Sequence, residues 1–422
     1  MCARACVCVC EQKRRVQSVR HTVRHTVRQC RVLFDALFAV LQVVVVMRMA
    51  WRGRPRGVGQ VALLGVLLLL LLSLFLLTAT RIAPLAATPS FPASPCLSHP
   101  LASEADPQQV ALYFTPRSRP ITEVVSRFLV QPQPGLCNQQ LDLLVLVPSP
   151  PGAADVRDTI RDTWGSVVRN GWPHVQWRRK VALVFVLGRH PQPRRFNLTA
   201  LRQEAVEHGD LLVGDFRDTY RNLTRKMMAG LHWVSRKCPR ARYVLKADQD
   251  TFVNVAGLLA VLSQLQLVQP ALGNTVLGEV LCSESVNRDP ASPVRVAASV
   301  YPFSTYPPYA RGGSYVLPGA LVAQLVNASR YMPYLPVEDA FINGVLARVL
   351  RAQHVHLPRV MRGLACRVSP CVFVTTQQLT ATNVDLAMMR AIWSALLAGP
   401  RHCQQHASLW DWLCVWSSNH WS

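Results

Sequence analysis

The sequence has few charged residues, and few of those are acidic. Only 16% of its 422 residues are Asp, Glu, Lys or Arg, whereas 50% are hydrophobic. A chain of this composition can bury a sizeable core, which excludes a protein that is disordered throughout. The 46 basic residues outnumber 23 acidic ones, which gives a formal net charge of +23. Such an excess raises the question of nucleic-acid binding.

The sequence also lacks the patterns that would support a nucleic-acid partner. No run of interleaved basic and aromatic residues is present. Residues 1–60 hold twelve Arg or Lys against Glu11 and Asp35, and the remaining excess is spread over the rest of the chain. Because the charge is not concentrated on one folded region, we expect no nucleic-acid binding.

One stretch lacks charge altogether. Residues 61–79, VALLGVLLLLLLSLFLLTA, would span roughly 28 Å as a helix, close to the hydrocarbon thickness of a bilayer. Arg52, Arg54 and Arg56 precede it, and Arg81 follows it alone. This asymmetry predicts a cytosolic N-terminus and a single-pass type II membrane protein. A cleaved signal peptide is the alternative, but its apolar segment is normally shorter.

The anchor divides the chain into predicted segments. Residues 1–60 form a cytosolic basic segment, and we expect translation to start at Met47 or Met49, so that 1–46 is not translated. Residues 80–136 are rich in Pro, Ser and Ala, which is typical of an extended stem. We expect a folded lumenal domain over 137–398 and a Trp-containing tail over 399–422.

The folded region alternates apolar runs with helical patterns. The runs at 141–147, 181–188 and 242–248 indicate buried strands of a parallel or mixed sheet. Helical patterns cover 155–164 and 222–237. This alternation predicts an α/β domain whose ligands lie at the carboxyl ends of the strands.

Cysteine usage favours an oxidising compartment. Eight cysteines follow the anchor, an even number that indicates lumenal disulfides: Cys96, Cys137, Cys238, Cys282, Cys366, Cys371, Cys403 and Cys414. Cys366 and Cys371 could instead bind a metal ion, but no matching His/Cys pair completes a zinc site. Sequons at Asn197, Asn222 and Asn327 are compatible with a lumenal location.

An acidic triplet follows the third strand. Asp248-Gln249-Asp250 lies at a strand-to-loop junction, where two carboxylates can face one divalent cation. Such a cation would bridge the two phosphates of a nucleotide-sugar. On spacing alone the triplet is a weak signal, because D-x-D occurs by chance in many chains and is more typical of a solvated loop.

The context of this triplet resembles a known family. The blocks RDTIRDTWG (157–165), FVLG (185–188), GDLLVGDFRDTYRNLTRK (209–226), CPRARYVLKADQDTFVNV (238–255), YPPYARGGSYVL (306–317) and LPVEDAFING (335–344) occur in this order. They resemble the β1,3-galactosyltransferase and β1,3-N-acetylglucosaminyltransferase family, glycosyltransferase family 31. The resemblance covers about Cys137 to Trp393.

The resemblance implies a GT-A fold with a central mixed sheet and a lumenal, Golgi-membrane enzyme. It implies inverting transfer from a UDP-sugar to a 3-hydroxyl of a glycan on protein or lipid. Asp339 then matches the general base and Glu338 a residue that orients the acceptor. As a helix-start acid, Asp339 also has an ordinary structural explanation. Asp250 becomes the main ligand of Mn²⁺ or Mg²⁺, with Asp248 contacting the metal or the nucleotide.

Further site residues follow from the same resemblance. Arg157 and Arg161 match positions around the nucleotide pocket, although a surface ion pair would explain them equally. Gly312 and Gly313 would allow the backbone to approach the donor and the acceptor. Gln377 stands where the family often has a metal-binding His, and Gln is a weaker ligand for such an ion.

The leading hypothesis is an active galactosyltransferase that uses UDP-galactose. UDP-GlcNAc is the alternative donor. A lumenal protein of weak activity that binds glycans or assists a partner enzyme is the alternative of another class, and Gln377 is the residue that motivates it.

Overall fold

The computed structural model describes residue 96 and residues 106–268, 272–357, 360–361, 370–375, 378–399 and 401–403. The predicted cytosolic segment, the anchor at 61–79, Gln377 and most of the tail lie outside these ranges. No helix within them is long and apolar enough to cross a membrane.

A mixed sheet forms the centre of the described region. Its strands run in the order β1-β4-β3-β2-β5-β8-β7-β9, and a second sheet within the described ranges has the order β10-β11-β6. The strands are β1 Phe128–Val130, β2 Leu143–Pro148, β3 Val181–Arg189, β4 Leu211–Arg217, β5 Tyr243–Ala247, β6 Phe252–Val253, β7 Thr275–Leu281, β8 Tyr309–Pro318, β9 Gln353–His356, β10 Val360–Met361 and β11 Thr380–Ala381.

The three strands predicted from apolar runs are β2, β3 and β5, which are adjacent. β2 pairs in parallel with both β3 and β5, and every residue of β2 and β5 is buried. Burial on both faces explains why these strands read as continuous apolar runs rather than alternating ones. β8 then runs antiparallel between β5 and β7, so the sheet is mixed.

Helices cover both faces of the sheet. They are α1 Pro107–Phe114, α2 Ala154–Asp162, α3 Val167–Asn170, α4 Leu198–His208, α5 Leu223–Lys237, α6 Val255–Val268, α7 Gly319–Ser329, α8 Leu346–Val349, α9 Pro370–Thr375 and α10 Leu386–Ala398. One core, with Met227 of α5 and Leu325 of α7, packs on one face. A second core, with Trp164 and Met389, packs on the other. The predicted α/β class is confirmed.

The predicted stem differs from the structure over its C-terminal part. Residues 107–114 form helix α1, whose first turn is capped by Asp106 and has Pro107 in a favoured position. The Tyr113 ring contacts Tyr301 and Phe303, with centroids 5.2 and 5.5 Å apart. Strand β1 extends the main sheet. Aromatic packing and strand pairing therefore make this stretch part of the folded unit, rather than an extended linker.

Three disulfides confirm the prediction from cysteine usage. They join Cys96 to Cys282, Cys137 to Cys238 and Cys371 to Cys403. Cys371 is therefore a disulfide partner rather than a metal ligand. Cys366 and Cys414 lie outside the described residues.

Candidate active site

A cavity of about 580 Å³ opens at the carboxyl end of β5. Six of the residues predicted to form the site line it: Asp248, Asp250, Gly312, Gly313, Glu338 and Asp339. We call this the acidic cavity. Three chain segments that are far apart in the sequence carry these six residues: the β5–β6 connection, the first half of β8 and the start of the helix that contains 340–345.

An irregular ladder explains how β8 reaches the cavity. Gly278 and Val280 of β7, two residues apart, pair with Tyr315 and Ala310, which are five residues apart. The additional β8 residues, 311–314, therefore leave the regular pairing with β7. The carbonyl of Gly313 accepts from the backbone N–H of Asp248 at 3.0 Å, which joins this segment to the acidic triplet.

The two glycines permit close approach, as their residue type predicts. A Cβ on Gly312 would lie 2.9 Å from Asp339 Oδ2, and one on Gly313 would lie 2.2 Å from Thr382 Cγ2. Both separations are shorter than side chains tolerate. Gly312 thus lets the β8 backbone lie against the Asp339 carboxylate.

A buried lysine connects the acids of the cavity. Lys246 Nζ donates to Asp248 Oδ1 at 2.6 Å and to the carbonyl of Gly312, and it lies 3.7 Å from Glu338 Oε2. Burial alone would lower the pKa of Lys246, but the carboxylates of Asp248 and Glu338 outweigh it, so that the pKa is raised. Lys246 is therefore a fixed cation that holds two chain segments together.

The two acids at the helix start have different surroundings. Glu338 is buried and accepts a 2.5 Å hydrogen bond from the Tyr315 hydroxyl. Burial raises the pKa of Glu338 to about 7, although Lys246 acts in the opposite direction. Asp339 Oδ1 accepts from the N–H of Ala340 at 2.9 Å. Burial also raises the pKa of Asp339, which makes this carboxylate a better proton acceptor than an exposed aspartate.

The acidic triplet presents its two carboxylates unequally. Asp248 Oδ1 is held by Lys246, whereas Asp250 reaches solvent at the rim of the cavity. Partial desolvation and the nearby charge of Asp248 raise the pKa of Asp250. Within the described residues no group of three or more His, Cys, Asp or Glu side chains could hold a metal ion. The donor set nevertheless fits Mg²⁺ or Mn²⁺, which commonly take one or two carboxylates together with substrate phosphates.

Arg157 and Arg161 are placed elsewhere. Both are buried, and neither lines the acidic cavity. Arg157 bonds Glu204 at 2.6 and 2.7 Å, and Arg161 bonds Asp158, Glu204 and Asp210 at 2.6 to 2.9 Å. We call these five residues the arginine network. Both guanidinium groups are thus paired with protein carboxylates, as in the ion-pair alternative stated for them, but the pairs are buried rather than on the surface.

Arg157 still affects the wall of the cavity indirectly. Its Nη1 donates to Ser149 Oγ at 3.2 Å and to the carbonyl of Pro150 at 3.0 Å. Pro148 and Pro150 line the acidic cavity. Arg157 therefore positions the β2–α2 loop from behind.

Several residues of the cavity wall were not predicted from the sequence. Lys226 lies in the cavity wall, 2.7 Å from Asp218 and 3.1 Å from the carbonyl of Ser149. Tyr220, Lys246 and Arg311 also line it. A signal was available for the two lysines. A Lys within an otherwise apolar strand or helix face is normally buried only where acidic side chains lie close enough to pair with it.

Comparisons with known proteins agree with this site. The sequence profile described as Galactosyltransferase matches residues 155–358. The chain is 32% identical to β-1,3-galactosyltransferase 4 of Mus musculus over 295 residues, which cover 64% of this chain and 76% of the relative.

Two further relatives are also named for β1,3 transfer, one of galactose and the other of N-acetylgalactosamine. β-1,3-Galactosyltransferase 5 of Homo sapiens is 33% identical over 55% of this chain and 71% of its own. UDP-GalNAc:β-1,3-N-acetylgalactosaminyltransferase 1 of Mus spicilegus is 30% identical over 57% and 69%. The chain therefore belongs to the galactosyltransferase family of β1,3-glycosyltransferases and is a UDP-sugar-dependent enzyme.

Proposed function

We propose that this protein is an inverting β1,3-galactosyltransferase of the GT-A fold that transfers galactose from UDP-galactose to the 3-hydroxyl of a glycan acceptor. The observation that carries the proposal is the position of Asp339. Its carboxylate lies beside Gly312 in the cavity that also contains the acidic triplet. Two of the three relatives described above are named galactosyltransferases, which favours galactose as the donor sugar.

Asp339 accepts the proton of the acceptor hydroxyl as that oxygen attacks the anomeric carbon. Inversion requires attack from the face opposite UDP, so the base and the diphosphate must lie on opposite sides of the sugar. The backbone N–H of Ala340 fixes the Asp339 carboxylate, and burial keeps it basic. Lys246 holds the acidic triplet and Glu338 in one arrangement, which fixes both sides of the reaction relative to each other.

Asp250, with Asp248, would hold Mn²⁺ or Mg²⁺. When bound, this ion supplies positive charge that stabilises the departing diphosphate. Asp248 can offer its second oxygen to the ion or the nucleotide, since Lys246 engages the first. Gln377 remains a proposed further ligand and lies outside the described residues.

A donor and acceptor screen tests the reaction. The full chain, solubilised in detergent, would be given Mn²⁺, aryl β-galactosides or aryl β-N-acetylglucosaminides, and UDP-galactose, UDP-GlcNAc or UDP-GalNAc. We expect the fastest acceptor-dependent UDP release with UDP-galactose and a β1,3-linked product. Preference for another donor would replace galactose, and no transfer with any donor would favour a glycan-binding protein instead.

A variant links the metal to the same site. Asp250→Asn removes one anionic oxygen and keeps the side-chain shape. We expect it to weaken Mn²⁺-dependent UDP binding by about 10- to 100-fold, since metal sites are sensitive to changes of this kind. Unchanged UDP affinity in the presence of Mn²⁺ would remove Asp250 from the metal site.

We also propose a Golgi membrane location, with the anchor at 61–79 and the catalytic domain in the lumen. The three disulfides favour an oxidising compartment. Asn197 and Asn327 are exposed and can carry glycans. Enzymatic deglycosylation should increase the gel mobility of the protein. No shift, together with protease access to the C-terminal region in sealed microsomes, would reject this topology.

A further inference from the structure

Arg311 lines the acidic cavity but has no role in the proposed mechanism. It lies in the part of β8 that leaves the regular ladder, next to Gly312, and its side chain lines the acidic cavity. About 29% of the side chain is exposed, so the guanidinium is partly enclosed in the wall rather than free in solvent.

The guanidinium has hydrogen-bonding capacity that the described protein atoms do not use. Nε and Nη2 are both buried, and neither has a hydrogen-bond partner among the described residues. Glu279 Oε2 lies 3.0 Å from Nε and balances the charge, whereas Nη2 has no such carboxylate among the described residues. Buried N–H groups are almost always paired, because leaving them unpaired costs free energy.

Two other arginines of the protein show what a saturated guanidinium looks like. Arg161 meets three carboxylates. Arg288 donates to the carbonyls of Val296, Tyr301 and Phe303 at 2.6 to 2.8 Å. In comparison, Arg311 is charge-balanced and retains unused donors, and it does so in the wall of a cavity that is expected to hold a substrate.

The position of Arg311 indicates which substrate it meets. Its neighbour Gly312 lies against the Asp339 carboxylate, the proposed base, so Arg311 belongs to the acceptor side of the site. The charges nearby disfavour an anionic ligand, since Glu279 already balances Arg311, and Glu338 and Asp339 are acidic. The ligand group that Arg311 can meet is therefore an uncharged oxygen atom, either of a hydroxyl group or of an acetamido carbonyl.

We infer that Arg311, held in place by Glu279, determines acceptor specificity by donating a hydrogen bond to an uncharged oxygen on the acceptor sugar, on a carbon next to the reacting hydroxyl. For a reacting 3-hydroxyl, this oxygen belongs to the 2-substituent or to the 4-hydroxyl. This inference rests on the proposed function, because it requires a sugar acceptor beside Asp339.

The inference is tested by combining a variant of Arg311 with acceptors that lack one oxygen, in the manner of a double-mutant cycle. The solubilised full chain and its Arg311→Met variant would be assayed with an aryl β-galactoside and an aryl β-N-acetylglucosaminide. Each would be compared with analogues that lack the 4-hydroxyl or the oxygen of the 2-substituent. We expect Arg311→Met to lower kcat/KM for the better parent acceptor by about 10- to 100-fold, the usual value of a hydrogen bond from a charged group.

The analogues give the decisive result. With one of the analogues, the kcat/KM of the wild-type enzyme should fall by a similar factor relative to the parent acceptor. The kcat/KM of Arg311→Met should be no lower with that analogue than with the parent. Affinity for UDP with Mn²⁺ should stay unchanged. Arg311→Lys keeps the charge but not the planar fork, so we expect it to restore only part of the activity. Arg330→Met, which removes the same charge from a different cavity, should behave as wild type.

Three results would overturn the inference. One is equal loss by Arg311→Met on every acceptor analogue. Another is a parallel loss of UDP affinity or melting temperature, which would indicate a structural role. The third is a wild-type preference for uronate acceptors that Arg311→Met abolishes. Wild-type protein inactive on every acceptor would reject the proposed function and this inference together, whereas transfer unaffected by Arg311→Met would reject only the inference.

Discussion

The acidic cavity and the arginine network are two clusters of buried charge on neighbouring parts of one sheet, and they differ in how completely their charges are paired. In the network, Arg161 alone meets Asp158, Glu204 and Asp210. In the cavity, by contrast, Lys246 has to balance Asp248 and Glu338 while Asp339 and Asp250 face the open space.

This difference distinguishes a charge cluster that stabilises the fold from one that can bind a ligand or transfer a proton. A cluster whose donors and acceptors are satisfied within the protein leaves no group for a ligand. Burial raises the pKa values of Glu338 and Asp339 in the cavity, and Lys246 does not offset it, which suits proton transfer. Buried charge by itself therefore indicates neither role, and the completeness of pairing decides between them.

Asp339→Asn should have the largest effect, and it tests the cavity side of the comparison. Asn keeps the volume and the hydrogen bond from Ala340 but is a far poorer proton acceptor. We expect turnover to fall by about 10²–10⁴-fold, the usual contribution of a general base. Affinity for the UDP-sugar and the melting temperature should hold, because the base acts on the acceptor and no cavity is created.

A second helix-start aspartate provides the matched control. Asp385 caps α10 by accepting from the N–H of Met388 at 2.7 Å, and its side chain does not line the acidic cavity. Asp385→Asn should leave turnover unchanged and cost about 1 kcal/mol of stability or less. If Asp339→Asn behaves in the same way as this control, Asp339 is a helix-start residue and Glu338 becomes the next candidate for the base.

Arg161→Met tests the network side and should change stability rather than chemistry. The substitution takes the buried guanidinium away from Asp158 and Asp210, whereas Glu204 keeps its ion pair with Arg157. We expect the free energy of unfolding to fall by about 3–5 kcal/mol, as happens when one partner of a buried ion pair is removed. Chemical denaturation would measure this loss, and turnover per folded molecule should remain that of wild type. A fall in UDP-sugar affinity without loss of stability would restore Arg161 to the nucleotide pocket.

The sequence was sufficient to predict the central strands and the acids of the cavity. Strand β2 is apolar throughout and β5 is apolar except for Lys246, because neighbouring strands and helices bury both faces, so their pattern is clear. The order of the blocks then indicated Asp248, Asp250, Glu338 and Asp339, which the fold brings to one cavity.

The partners of the arginines were not predictable in the same way. Arg157 and Arg161 lie one helical turn apart, but Glu204 and Asp210, which saturate them, come from α4 and the start of β4. Such long-range partners have no local signal. The stem was misjudged for a different reason: its Pro-rich composition outweighed the local cap formed by Asp106 and Pro107.

Two buried tyrosines give the smallest expected effects, and they test most specifically whether the acidic cavity differs from the rest of the core. Tyr113 and Tyr315 are both buried, but only the hydroxyl of Tyr315 has a partner, Glu338 Oε1 at 2.5 Å. The Tyr113 hydroxyl has none among the described residues and packs among aromatic rings away from the acidic cavity. Unsatisfied polar groups therefore also occur outside the site, and they should matter only where a ligand can reach them.

Replacing each tyrosine by Phe removes a single oxygen and keeps the ring. For Tyr113→Phe we expect unchanged turnover and stability that is equal or higher by up to about 1 kcal/mol, because a desolvated hydroxyl without a partner is lost. For Tyr315→Phe we expect a loss of about 1–2 kcal/mol and a several-fold lower turnover, because Glu338 loses a donor and its position. Denaturation curves and transfer rates measured side by side check both. Equal behaviour of the two variants would mean that the hydrogen bond to Glu338 contributes nothing, and that completeness of pairing does not distinguish the cavity from the rest of the core.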